Sequence, residues 1–134
     1  MSLRRYLSKS EVLLREADLD LQSNCFNKAV SAYWSSIEAL LRAFLLAIKK
    51  SPPERAGKLI SLVSKELKKI DPYADHIVAS INQVYIHRRN IEHRSKLADP
   101  KLAKYVAELS RMIINHMRKI ISALISETNS AIWH

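Results

Sequence analysis

The stretch FNKAVSAYWSSIEALLRAFL, residues 26–45, decides the fold class of this chain. Its large apolar residues recur every three or four positions, the spacing that places side chains on one face of an α-helix. Trp34, Leu40 and Leu45 lie off that face, so the helix is apolar over much of its circumference. The pattern predicts a long helix that is either central in the monomer or shared with a partner chain.

The same periodicity predicts four further helices, separated by breaks at prolines and short polar residues. A first helix ends near Ser23 and Asn24, and Asn24 is the predicted N-cap of the second helix. Pro52 and Pro53 end the second helix, so a third helix is expected from about Glu54. The predicted inward side of this third helix consists of Leu59, Val63, Glu66 and Ile70.

Two Asp-Pro pairs mark the predicted starts of the last two helices, because aspartate caps a helix and proline fits its first position. Asp71 and Pro72 begin the fourth helix, whereas Asp99 and Pro100 begin a fifth helix that is expected to end near Glu127. The predicted inward stripe of the fourth helix consists of Ile77, Ile81, Val84 and Ile91.

Long helices that are joined by short links favour antiparallel neighbours. We therefore predict an all-α fold in which residues 1–134 form a single helical domain, an up-and-down antiparallel bundle of four long helices with an additional short helix. The chain has one cysteine, Cys25, and no His/Cys cluster at zinc-ligand spacing. Its single glycine argues against a glycine-rich phosphate loop. We expect no metal and no cofactor.

The charge of the chain favours polyanionic partners. Twenty-two Lys and Arg against thirteen Asp and Glu give a net charge of +9, and the basic residues are concentrated in residues 42–70. Nucleic acid is the usual partner of such a chain, although a basic surface also serves solubility alone. No stretch reaches the roughly 18 apolar residues of a membrane span, and no signal peptide is evident. We expect a cytoplasmic protein with no membrane partner.

The segment YIHRRNIEHRSK, residues 85–96, is the best candidate for a chemical site. Arg88 is in phase with the inward stripe of the fourth helix, so its guanidinium needs a partner. Arg89 and His93 are four positions apart and share another face with Tyr85, which suits the binding of an anion beside an imidazole. Arg88 and His93 diverge by about 140° on an ideal helix. They converge only if the helix ends or bends near Asn90, or across a dimer.

An arginine and a histidine suit metal-free RNA cleavage, because His moves protons near neutral pH and Arg presents fixed donors to phosphate. In that reaction the 2'-hydroxyl attacks the neighbouring phosphate, while Arg stabilises the phosphoryl oxygens. The alternative is a solvated helix end in which Glu92 pairs with Arg88 or Lys96. The residues predicted to contact nucleic acid are His87, Arg89, Asn90, Arg94 and Lys96, although His87 also fits a solvent-facing role.

Residues 26–45 and the basic segment together resemble the HEPN superfamily and its archaeal paralogous members. The functional signature of that family is an Arg, then four to six residues of which the first is usually polar, then a His. Arg88 and His93 fit the shortest spacing, with Arg89 in the polar place, where Asn, Asp or His is more usual. The resemblance implies a helical homodimer that cleaves RNA without a metal, with Arg88 and His93 as catalytic residues in a shared cleft.

The resemblance also implies other partners and a second function. Many relatives look like non-catalytic modules that bind RNA or a protein partner, and others are toxins that a small nucleotidyltransferase-like antitoxin holds inactive. The alternative function is therefore a helical adaptor that binds RNA or an antitoxin. A DNA-binding protein is the weakest interpretation, because the sequence has no helix-turn-helix spacing.

Overall fold

The helix that contains residues 26–45 lies at the centre of the structure. The computed structural model describes residues 2–93 and 96–133, with side chains up to residue 127. In this part of the chain the helices are α1 (Leu3–Gln22), α2 (Phe26–Ala47), α3 (Ala56–Leu67), α4 (Ala74–His93) and α5 (Pro100–Trp133). The described residues form no strand, so the predicted all-α class is confirmed.

The centre of the core is α2, which packs against α1, α3, α4 and α5. Its large side chains Tyr33, Ile37, Leu41 and Phe44 are fully buried, and so are Leu40 and Leu45 from outside the main stripe. Of the two alternatives for this helix, the central position in the monomer is therefore confirmed.

The contacts between helix ends give the direction of each element. The backbone amide of Ala98 donates to Asn27 Oδ1, so α5 begins at the same end of the bundle as α2. Ser31, near the start of α2, bonds to Glu92 at the end of α4, so these two helices are antiparallel. Successive long helices thus alternate in direction, and α3 is the additional short helix.

Several predicted helix limits are wrong by a few residues. Asn24 is not the N-cap of α2: it has a φ of 60° and lies in the turn after α1, whereas Cys25 occupies the N-cap position. Asparagine tolerates this left-handed conformation better than most residues. α3 begins at Ala56 rather than Glu54, and Ile70 lies beyond its end and is 52% exposed.

The two Asp-Pro pairs behave differently. Asp99 Oδ1 accepts the amide of Leu102, and Pro100 is the first residue of α5, as predicted. Asp71 Oδ1 accepts the amide of Tyr73, but this bond closes a turn, and α4 begins only at Ala74. α5 also continues beyond the predicted end at Glu127, to Trp133.

A polar network joins three helices through the buried Tyr33 of α2. The hydroxyl of Tyr33 donates to Asp18 of α1, and Arg111 of α5 donates to both Asp18 and the Tyr33 oxygen. Burial and the hydrogen bond to Asp18 together raise the pKa of Tyr33 above its usual range, so the phenol stays neutral. The network satisfies polar groups that would otherwise be costly to bury.

Two further buried carboxylates hold the chain around α3. Glu66 is 4% exposed, and its carboxylate lies 2.8 Å from Lys50 Nζ and 2.9 Å from Lys69 Nζ. Hydrogen bonds from Lys50 and Lys69 lower the pKa of Glu66 to about 2. His116 of α5 lies 2.7 Å from the buried carboxylate of Asp71, which links the turn before α4 to α5.

Among the helices of the described residues, none combines the length and the apolar composition that a membrane span requires.

We expect Tyr33→Phe to lower the free energy of unfolding by about 1 to 2 kcal/mol, because it removes the donor to Asp18 while keeping the buried ring. Urea unfolding followed by circular dichroism measures this change. The matched control is Tyr73→Phe, since Tyr73 is 65% exposed and its change is expected to be within about 0.5 kcal/mol. Equal stability of the two variants would contradict the role of the network.

We expect Glu66→Gln to lower the melting temperature at pH 7 but not near pH 2. The folded-state pKa of about 2 lies below the unfolded value, so the charged carboxylate stabilises the fold above pH ~5, and this contribution disappears as the pH falls toward 2. Melting curves of wild type and variant between pH 7 and 2.5 measure the convergence. The exposed Glu16→Gln serves as control. A difference that does not change with pH would refute the pairing.

Candidate nucleic-acid interface

The second half of α4 carries the predicted site. The buried residues of α4 are Ala74, Ile77, Ser80, Ile81 and Val84, and every residue from Tyr85 to His93 is partly or fully exposed. α4 remains helical as far as His93, so it does not end near Asn90. Side chains on this segment therefore keep the angular separations of a helix, with about 100° between successive residues.

Arg88 lies on the side of α4 that faces α2. Its Nη2 atom is 2.8 Å from Glu92 Oε2, and the other carboxylate oxygen of Glu92 accepts a hydrogen bond from Ser31 at 3.0 Å. The Arg88 side chain is 30% exposed, so it is half-buried and its charge is balanced within the protomer. This is the pairing with Glu92 that the alternative interpretation of the segment predicts.

Arg89 and His93 lie on a different face of α4, toward α3. Together with Tyr85 they line a groove of about 580 Å³, and the other wall of this groove carries Arg55 and Lys58 from the start of α3. The guanidinium of Arg89 lies 6.0 Å from the centre of the Tyr85 ring, within the range of a cation–π contact. The structure thus brings Arg89 and His93 into one groove, whereas Arg88 lies on another face.

Tyr85 connects the groove to the core. Its ring centre is 5.1 Å from that of Trp34, which is only 2% exposed, and the two rings are tilted by 48°. Contacts of this kind fix the orientation of an aromatic side chain. The position of Tyr85, and of Arg89 above it, is therefore set by the burial of α2.

The other predicted contact residues are distributed around the end of α4. Asn90 lines a smaller cavity of about 200 Å³ with Ile86, Arg89 and His93. His87 instead faces α5, where its ring meets that of Tyr105 edge to face with centres 6.2 Å apart. Lys96 is exposed, and Arg94 lies outside the described residues. Asn90 thus accompanies Arg89 and His93, and His87 does not.

The sequence analysis did not single out Arg55 and Lys58 as site residues. They precede Arg89 by some thirty positions, and only the fold brings the first turn of α3 beside the last turns of α4. The concentration of basic residues in residues 42–70 was the available signal, but it does not specify which of those residues face α4.

The groove is suited to a polyanion. Arg55, Lys58 and Arg89 are permanent cations, His93 becomes one on protonation, and no carboxylate is among the described residues that line the groove. Guanidinium and ammonium groups hold phosphate by charge-assisted hydrogen bonds. In the part of the chain that the structure describes, no three His, Cys, Asp or Glu side chains form a group that could hold a metal ion.

A comparison with protein families agrees with the all-helical fold. A comparison with curated proteins gave no significant match. The family model of the HEPN domain matches residues 3–126, which include all of α1 to α4 and most of α5. The chain therefore belongs to the HEPN family.

Proposed function

We propose that this HEPN protein is a metal-independent endoribonuclease that acts as a homodimer, with Arg88 and His93 as its catalytic residues. The observation that carries the proposal is the position of His93, which is exposed at the end of α4 and lines a groove with three cations. An imidazole beside fixed positive charges can act on a bound phosphodiester.

The proposed reaction needs only a proton transfer and charge stabilisation. His93 removes the proton of the ribose 2'-hydroxyl, and the oxygen attacks the adjacent phosphorus. The bond to the 5'-oxygen breaks, and a water molecule protonates that leaving oxygen while the His93 imidazolium returns its proton to solvent. The products are a 2',3'-cyclic phosphate and a free 5'-hydroxyl. Arg88 stabilises the additional negative charge on the phosphoryl oxygens in the transition state.

A homodimer would bring Arg88 to the reaction. Within one protomer Arg88 and His93 diverge by about 140° around α4, and the helix continues to His93. Two-fold pairing can place Arg88 of one protomer near His93 of the other. Ile86 is 53% exposed beside Arg89, so pairing of two protomers through this face would bury it.

The ion pair between Arg88 and Glu92 favours the second candidate function, a non-catalytic adaptor. A guanidinium that is already paired with a carboxylate offers less charge to a transition state. The groove with Arg89 and His93 would then bind RNA, or the acidic surface of a nucleotidyltransferase-like antitoxin, without cleavage. RNA that binds in a salt-sensitive manner and remains intact would support this function instead.

We expect His93→Ala and Arg88→Ala each to lower the rate of RNA cleavage by about 10²- to 10⁴-fold, because each removes a group that acts in the transition state. The assay uses a labelled single-stranded RNA with excess chelator present. The matched controls are His76→Ala, at an exposed position in the first half of α4, and Arg15→Ala on α1. Cleavage that persists equally in all four variants would come from a contaminating nuclease.

Mixing the two inactive variants tests the arrangement in the dimer. If Arg88 acts on the site of the other protomer, a mixed dimer has one intact site, and an equal mixture recovers roughly a quarter of wild-type activity. If both residues act within one protomer, the mixture stays inactive. The second result would overturn the shared-cleft arrangement.

We expect Ile86→Asp to convert the dimer into a monomer, because a charge at this exposed apolar position opposes burial in an interface. Light scattering coupled to size exclusion measures the mass. Val12→Asp is the matched control, since Val12 is 46% exposed on α1. A wild-type protein that is monomeric at high concentration would refute the proposed homodimer.

A further inference from the structure

Two neighbouring cavities between α3 and α4 share lining residues, and a third, smaller cavity on α4 adjoins them. The cationic cavity shares Gly57 and Tyr85 with a second cavity of about 290 Å³, and it shares Arg89 and His93 with the smaller cavity near Ile86. We call the whole the α3–α4 groove. From one end of the groove to the other, its polar and aromatic lining consists of Ser64, Ser61, Asn82, Tyr85, Lys58, Arg55, Arg89 and His93.

The two ends of the α3–α4 groove differ in chemistry. One end presents the four groups Arg55, Lys58, Arg89 and His93, which suit phosphate. The other end is neutral and carries Asn82 with two serine hydroxyls over an apolar floor of Ile60 and Val78. An amide that both donates and accepts hydrogen bonds can pair with the edge of a base. The charged end thus suits the phosphate of a nucleotide, and the neutral end suits its base.

Tyr85 lies at the boundary between the two ends, since it lines both cavities. Trp34 packs against the Tyr85 ring, and the Arg89 guanidinium lies over that ring, 6.0 Å from its centre. A base that stacks on Tyr85 therefore displaces Arg89, which then turns to the phosphate. A partly exposed aromatic ring in a fixed position is a platform on which an unpaired base can stack. A base within a duplex is already stacked and paired, so the site favours a single strand.

The backbone at the start of α3 is also open to the α3–α4 groove. A Cβ atom added at Gly57 would meet nothing within 4 Å, and Arg55 at the N-cap position makes no side-chain capping bond. The first hydrogen bond of the helix is donated by Leu59, so the preceding amides are not used by the helix. Such amides add donors for an anion to those of the four side chains.

We propose that the α3–α4 groove binds one nucleotide of single-stranded RNA adjacent to the scissile phosphate. Arg55, Lys58 and Arg89 hold its phosphate, and its base stacks on Tyr85 with an edge toward Asn82. The inference rests on the proposed function, because RNA is taken as the ligand. It assigns the segment around Arg55 and Lys58, which lies outside the Arg–His signature, to substrate binding.

The charged end is tested with a fluorescent 2'-O-methyl oligoribonucleotide, which has no free 2'-hydroxyl and so cannot be cleaved. We expect the double variant Arg55→Ala/Lys58→Ala to bind it about 10- to 100-fold more weakly at low salt. Loss of two phosphate contacts should also reduce the slope of log affinity against log salt by about 1.4. The control Arg4→Ala/Lys9→Ala removes the same charge from α1. Equal affinities of the two double variants would overturn the inference.

The neutral end is tested through base preference. We expect Asn82→Ala to change the ratio of affinities for oligo(A), oligo(U) and oligo(C), whereas the charge variants weaken all three alike. A duplex of the same length should bind more weakly than the single strand. Unchanged ratios in Asn82→Ala, or equal binding of the duplex, would overturn the nucleotide-binding role. Displacement of the probe by micromolar 5'-AMP would instead indicate a free nucleotide as the ligand and also refute it.

The outcomes separate this inference from the proposed ribonuclease. If unmodified RNA is bound through Arg55 and Lys58 but is not cleaved, the ribonuclease proposal fails and the binding groove stands. If RNA is cleaved at the wild-type rate by Arg55→Ala/Lys58→Ala, which also binds normally, the groove assignment fails and the catalytic proposal stands.

Discussion

The burial of Tyr33 and Trp34 in adjacent positions of α2 is the constraint on which the structure depends. Neighbouring helical residues point about 100° apart, so the two rings serve different partners. Tyr33 joins α1 and α5 through Asp18 and Arg111, and Trp34 packs against Tyr85 of α4. Moving α2 by one residue would break both sets of contacts at once. The core thereby sets the position of the Tyr85 ring, which lies between the charged and the neutral end of the α3–α4 groove.

The angular spacing of α4 has an electrostatic consequence for its consecutive arginines. Arg88 faces α2 and is paired with Glu92, so its charge is balanced within the protomer. Arg89 faces α3, where its guanidinium lies over the Tyr85 ring, and it makes no ion pair with the described carboxylates. Arg89 and the His93 imidazole therefore share a groove, although the signature pairs the histidine with Arg88. This division is why the catalytic proposal needs a second protomer and the binding proposal does not.

The sequence predicted the helices well and their limits less well, for physical reasons. Periodicity reports burial, so α2 and its central position could be found from residues 26–45. Asparagine is common both at helix N-caps and in left-handed turns. Asn24 adopts the left-handed conformation because the link between the packed helices α1 and α2 is short. Residues 127–133 contain neither glycine nor proline, so α5 can continue past Glu127. The sequence could not predict that Arg55 and Arg89 line the same groove, because this depends on how α3 packs on α4.

The starts of α2 and α3 have neither a side-chain capping bond nor an acidic residue in the first turn. Ser2 and Asp99 cap α1 and α5 with side-chain oxygens, and α4 has Asp75 in its first turn. α3 has no acidic residue in its first turn and carries Arg55 and Lys58 instead. Each cation at a helix N-terminus costs about 0.3 to 1 kcal/mol, since it repels the positive end of the helix dipole. A departure from local stability is expected where a site needs it. A bound phosphate would reverse the sign of this interaction, so the arrangement that destabilises the empty helix end is the one that favours an anion there.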